Sequence, residues 1–262
     1  MILRNKRKNT MDIIKTGFSV IDGVIGGFNA SELVVIAGRP GMRKTSLALS
    51  IVRNIAIDEK IPCAYFSLKM NNVKLVTRLI SNACNISDSN LISGKLSHEE
   101  WERLDGSIKN LLDSPLYIDD TPALQLEDLI DRIRRFVKEH GVKLATIDYL
   151  GLVEYTTRRL ELDVVLNSLK MLASELNIVI IALTNLYIGN ETPETRVPDM
   201  ADHDEFKAIG QYADWTFFIY RSELYGNDDS NTCRVVISKD GETPLGSATL
   251  KYQWYTRRFD NN

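Results

Sequence analysis

The tightest constraint on the fold lies in one short stretch. A β-branched run, Leu33-Val34-Val35-Ile36-Ala37, leads into Gly38-Arg39-Pro40-Gly41-Met42-Arg43-Lys44-Thr45, and a helical pattern follows from about Lys44 to Ile57. The turn matches G-x-x-x-x-G-K-[ST] except that Arg43 stands where the second glycine belongs. In such a loop the backbone N–H groups and the helix N-terminus wrap phosphate oxygens, the lysine reaches the β- and γ-phosphates, and the hydroxyl binds Mg²⁺. Gly38, Arg39, Pro40, Gly41, Met42, Arg43, Lys44 and Thr45 are therefore candidate nucleotide-phosphate contacts, with Thr45 also a candidate magnesium ligand. The plainer reading is a strand-to-helix turn with Gly and Pro for geometry and Lys and Thr as caps. The strand before and the helix after favour the phosphate loop.

Strand-like runs alternate with helical patterns along most of the remaining chain, which predicts an α/β fold built on a mostly parallel sheet flanked by helices. Ala64 to Leu68 and Leu144 to Asp148 read as strands, and Ile178 to Leu183 as a wholly apolar central one. Helices are predicted through Val76, Leu79, Ile80 and Ala83, through Leu126 to Val137, and through Leu162 to Leu176. Residues 85–113 read as short helices around Gly94, and Asp120-Thr121-Pro122 as a turn. Trp215 to Tyr220, Arg234 to Ser238 and Ala248 to Trp254 follow one another without helices, which predicts an antiparallel extension at the sheet edge. The polar stretch 189–198 has loop composition. Asp148, at the end of its strand, is a candidate for holding magnesium through a bound water.

At 262 residues, with 44% hydrophobic and 26% charged, the chain suits one large domain and excludes disorder for most of its length. The net charge of −3 carries no bulk positive field. Cys63, Cys84 and Cys233 fall outside any C-x-x-C spacing and read as reduced, buried thiols rather than a zinc site. No apolar run approaches the ~18 residues of a membrane span, and the basic N-terminus lacks a signal peptide's apolar stretch. A cytoplasmic protein with no membrane partner is expected. His98, His140 and His203 are isolated. The basic run Arg132, Arg134, Arg135 and Lys138 reads as a solvated helix face.

From about Thr16 onward the chain resembles the RecA-like motor domain of DnaB-type replicative helicases, a P-loop NTPase fold. The likeness rests on Thr16-Gly17-Phe18 with Gly26-Gly27-Phe28, the Arg39-Pro40 form of the phosphate loop, and Phe66-Ser67-Leu68 with Met70. It continues in Gly94-Lys95-Leu96 with Trp101, Ile118-Asp119-Asp120-Thr121, Ile147-Asp148-Tyr149-Leu150, Ser168-Leu169-Lys170, Ala182-Leu183 and Tyr220-Arg221. The implied organisation is a flexible basic lead over residues 1–15 and a RecA-like domain over 16–262, with no counterpart of the family's N-terminal, primase-meeting domain. The resemblance implies ATP and Mg²⁺ as cofactors, single-stranded DNA as a partner, and self-association into a ring or association with another helicase. It places Arg78 near the nucleotide base and Lys239 toward a neighbouring subunit's phosphates.

The same resemblance exposes departures. The family's glutamate that activates the attacking water is Lys69 here, and an ammonium of ordinary pKa ~10.4 cannot accept a proton near neutrality. The γ-phosphate-sensing glutamine is Asn185, and the arginine finger aligns with Gly241. Losing such a finger costs ~10³-fold or more in phosphoryl transfer. The DNA-contacting stretch aligns with Asp204-Glu205-Phe206-Lys207, where Asp204 repels phosphate and Glu205 and Lys207 are the candidate contacts. A DnaB-like protein that binds ATP with hydrolysis weakened or lost is the expectation. An active helicase or translocase and a non-catalytic regulatory subunit are the alternatives.

Overall fold

A computed structural model describes residues 13–153, 162–186, 209–221, 223, 231–239, 241 and 244–261. The polar stretch 189–198, Glu205, Lys207 and most of the basic lead lie outside the described residues. Within the lead, Ile14 is buried and bridges Phe28 through backbone hydrogen bonds of 2.9 and 2.8 Å.

The strands are β1 (Leu33–Gly38), β2 (Cys63–Ser67), β3 (Leu116–Asp119), β4 (Leu144–Asp148), β5 (Val179–Asn185), β6 (Trp215–Arg221), β7 (Thr232–Lys239), β8 (Gly246–Gln253) and β9 (Arg258–Asn261). They form one sheet in the order β3-β2-β4-β5-β1-β6-β7-β8-β9. Pairings from β3 to β6 are parallel and those from β6 to β9 antiparallel. The parallel strands β1, β2 and β4 are buried along their whole length, as their unbroken apolar runs require.

Three details differ from the sequence reading. The strand β6 belongs to both halves, because it pairs in parallel with β1 (Val34↔Trp215) before β7 returns antiparallel. The edge strand β3 was hidden by its four half-buried residues, which have no alternation to read. Strand β9 is short and carries Arg258 and Asp260, which pair with each other at 2.6 Å.

The helices are α1 (Ser19–Ile25), α2 (Lys44–Arg53), α3 (Asn72–Cys84), α4 (Asp88–Ser93), α5 (His98–Leu112), α6 (Leu126–His140) and α7 (Leu162–Leu176), with a π turn at Asn54–Asp58 after α2. Local chemistry explains their ends. A capping box of Ser97 and Glu100 opens α5, the Asn71 side chain accepts the Lys74 N–H to open α3, and Gly141 closes α6 in the left-handed region. Helix α6 buries Leu126, Leu129 and Ile133, and two residues of its basic face are ion-paired. Arg132 meets Asp119 at 2.7 Å, and Arg134 meets Glu175 on α7 at 2.8 Å. The predicted solvated face is borne out in Arg134, Arg135 and Lys138, which are exposed, while Arg132 and Arg134 also bond neighbouring elements.

All three cysteines are buried free thiols, and burial pushes Cys233 up to about 11. His140 stacks on Tyr117 at 4.0 Å, and His98 sits exposed near Glu102. No group of three or more His, Cys, Asp or Glu among the described residues is arranged for a metal. No described helix is long and apolar enough to cross a membrane.

Candidate nucleotide-phosphate site

The β1–α2 loop lies at the carboxyl edge of the parallel strands, where open α/β sheets form their crevice. Gly38 must lack a side chain because a Cβ there would stand 2.6 Å from the Ile219 carbonyl oxygen. Gly41 takes φ +83°. Arg43 takes φ +67° and ψ 24°, the left-handed conformation that a glycine would adopt freely. Its side chain runs to the end of β8, where the guanidinium carbon lies 3.8 Å from the Tyr252 ring centre and 3.6 Å from that of Trp254. The two rings meet edge to face at 5.6 Å, so the guanidinium sits in their corner.

Lys44 opens α2 and is buried, and its ammonium donates to the carbonyls of Gly38 at 2.7 Å and Arg39 at 2.9 Å. Burial lowers its pKa to about 8; nearby Lys69 adds to the shift and Asp148 opposes it. Asp148 ends β4, only 3% exposed. Tyr65 on β2 donates its hydroxyl to Asp148 Oδ2 at 3.0 Å, and the Thr45 hydroxyl also bonds that carboxylate. Burial raises the Asp148 pKa against the opposing pull of Thr45, Tyr65, Lys69 and Lys44.

Lys69 is held beside this carboxylate by the backbone. The Leu68 N–H donates to the Asp148 carbonyl at 2.9 Å, and the Ser67 hydroxyl donates to the Met70 carbonyl at 2.7 Å, closing a tight turn with Lys69 at its exposed apex. Its ammonium lies 5.7 Å from the Tyr149 ring centre. Asn185 enters from the end of β5, in register with Gly38. Lys44, Thr45, Lys69, Arg78, Asp148 and Asn185 thus share one cavity of about 260 Å³ with the rest of the loop. A cleft of about 710 Å³ between α3, α4 and the β8–β9 turn shares Arg78 and Arg257 with it.

A strand-borne phosphate loop, an acid at the end of β4 and a side chain from the β2 turn all meet in one cavity, and the DnaB-like helicase C terminal domain family matches residues 13–261. The chain belongs to that family. It is 35% identical over 261 residues to the replicative DNA helicase DnaB of Geobacillus stearothermophilus, covering 94% of this chain and 58% of the relative. To the replicative DNA helicase DnaC of Bacillus subtilis it is 33% identical, covering 98% and 60%. Among solved structures, the ATPase domain of G40P superposes with a TM-score of 0.85 at 26% identity, covering 98% of this chain and 93% of that one. A DnaB-like replicative helicase solved with its interactions with primase gives 0.86 at 27%, covering 96% and 62%. The chain therefore spans about three fifths of the length of these curated relatives.

Two of the family positions lie away from this cavity. Lys239 pairs with Trp215, which faces Val34 near the start of β1, so it sits toward the sheet edge opposite the phosphate loop, with its ammonium 5.4 Å from the Trp215 ring centre. Gly241 has φ +71°, and a Cβ there would stand 2.6 Å from Gly210 Cα. The position expected to hold a finger thus leaves no space for any side chain.

The Thr45 hydroxyl and the Asp148 carboxylate bring two oxygen donors together beside the phosphate loop, a set that fits a hard divalent cation. Magnesium, when bound, supplies positive charge to phosphate oxygens. Sequence reasoning missed Tyr65, Tyr149, Tyr252 and Arg257. The signal for Tyr65 was available, because a hydroxyl inside the apolar run Cys63 to Phe66 needs a buried acceptor. Arg257 takes part through its 2.5 Å pair with Asp88, a contact that only tertiary packing creates.

Proposed function

We propose that this chain is a DnaB-type subunit that binds ATP, acts in DNA replication, and hydrolyses nucleotide weakly or not at all. The observation that carries this reading is Lys69, an ammonium at the apex of the turn bonded to Asp148, in the cavity that also holds Lys44 and Thr45. A carboxylate there would accept a proton from an attacking water; a lysine cannot near neutrality. In this reading Lys44 and Thr45 contact phosphates, and Asp148 holds magnesium through water. Arg78 stands where the phosphate cavity opens into the larger cleft, which suits a role beside the base or ribose.

In this reading Lys239, on the far edge of the sheet, is offered to a neighbouring subunit, which favours action within a ring of like subunits or beside an active helicase. Single-stranded DNA is the polymer such a ring would encircle. The retained Lys44, Thr45 and Asp148 support the second reading, an active ATP-driven translocase.

Turnover and binding separate the two. Phosphate release should stay near background with or without single-stranded DNA, while a fluorescent ATP analogue binds in the presence of Mg²⁺. Robust DNA-stimulated turnover would overturn the proposal in favour of the active motor. Lys69→Glu combined with Arg43→Gly is expected to raise turnover in the same assay.

A further inference from the structure

We propose that the Lys69 ammonium substitutes for the magnesium charge, so that this site binds nucleoside triphosphates without a divalent cation. The inference rests on the nucleotide-binding reading above and adds a property of its own.

The charge inventory of the cavity motivates it. Arg43, Lys44, Lys69 and Arg78 line the cavity, and Asp148 is its carboxylate. Arg257 also reaches it but is paired with Asp88 at 2.5 Å. A triphosphate carries close to four negative charges at neutral pH. A phosphate loop with a single lysine leaves most of that charge for a metal to offset, whereas here Lys69 and Arg78 line the same small space as Lys44.

Position singles out Lys69 among them. Its turn is pinned by Leu68 N–H to the Asp148 carbonyl and closed by Ser67 and Met70, so the Lys69 side chain starts from a fixed backbone and lines the same cavity as Thr45 and Asp148. Those two oxygens are where a divalent cation would otherwise be drawn. The electrostatic influence of Lys69 reaches both of the site's defining groups, drawing the Asp148 carboxyl down and Lys44 down. Arg43 cannot take this role while its guanidinium remains in the corner of Tyr252 and Trp254. Lysine places one compact, strongly hydrated charge where a metal would place two. Phosphate oxygens entering the cavity would then meet both Lys44 and Lys69. The carboxylate that would have held the metal's water already lies within the field of an ammonium.

The test is equilibrium binding of a fluorescent ATP analogue to the full chain, in EDTA and in excess Mg²⁺. Wild-type protein should bind in both, with affinities within about tenfold of each other. Lys69→Arg should keep metal-free binding. Lys69→Ala and Lys69→Glu should lose it by about tenfold or more while still binding with Mg²⁺, because the exposed apex of the turn tolerates substitution and the phosphate loop is intact. Wild-type binding only with Mg²⁺, or Lys69→Ala binding in EDTA as tightly as wild type, would overturn the inference and leave the nucleotide reading standing. Absence of binding in both buffers would instead refute the nucleotide reading itself.

Discussion

Arg43 offers a direct way to weigh backbone strain against stacking. Its left-handed conformation costs a side chain roughly 1–2 kcal/mol relative to glycine. The guanidinium regains energy from two rings at 3.8 and 3.6 Å. Each such contact contributes about 0.5–1 kcal/mol when exposed and up to ~2 kcal/mol when desolvated, and Arg43 is half-buried. Arg43→Ala keeps the strain and loses both rings, so it should destabilise the fold by about 1–2 kcal/mol. Arg43→Gly loses the rings but also releases the strain, and should fall within about 1 kcal/mol of the parent. Urea unfolding followed by circular dichroism, with thermal melts alongside, measures both. For a chain of this size each kcal/mol moves the midpoint by about 2–4 °C. Equal stability of the alanine and glycine variants would refute the strain, and an alanine variant as stable as the parent would refute the stacking.

Other parts of the site make similarly definite predictions. The folded pKa of Lys44, about 8, lies below the ~10.4 of an unfolded lysine, so between these values the unfolded chain binds more protons. The cost of the buried ammonium is therefore present below about pH 8 and relieved as pH rises, and the stability of wild type relative to Lys44→Met should increase from pH 8 to about 10 in urea titrations. Over the same range, affinity for the ATP analogue should fall as the ammonium is lost. Tyr65→Phe removes a hydrogen bond to the buried Asp148 carboxylate and should cost about 1–2 kcal/mol at pH 7; unchanged unfolding would contradict that account. Gly241→Arg must push against Gly210 from a left-handed backbone and should lower stability by about 2 kcal/mol or more, so a parental melting temperature would show that this contact yields easily.

Much of the site was legible because its residues are bound to secondary structure. Lys44 and Thr45 begin a helix that must follow β1, and Asp148 must end its apolar strand, so naming the strands already located the sheet edge that carries the candidate site. Lys69 was legible only through the family resemblance, since a lysine after Phe66-Ser67-Leu68 has no meaning by itself. The edge strands β3 and β9 left little trace, because strands of four residues at an edge have one covered side and little hydrophobic period. The basic run of α6 is largely solvent-facing as read, but the partners of Arg132 and Arg134, Asp119 and Glu175, come from other elements and could not be paired by inspection.

Local sequence determined the strand-loop-helix unit and the parallel core, because those follow from hydrophobic period and turn chemistry, and the family resemblance marked the altered positions. Only the tertiary structure decided where the altered side chains lie. It turned Arg43 away onto Tyr252 and Trp254, seated Lys69 beside Asp148, and closed the space at Gly241 against Gly210. Each of these depends on elements far apart in the chain, and the direction of a side chain is settled by what packs across from it.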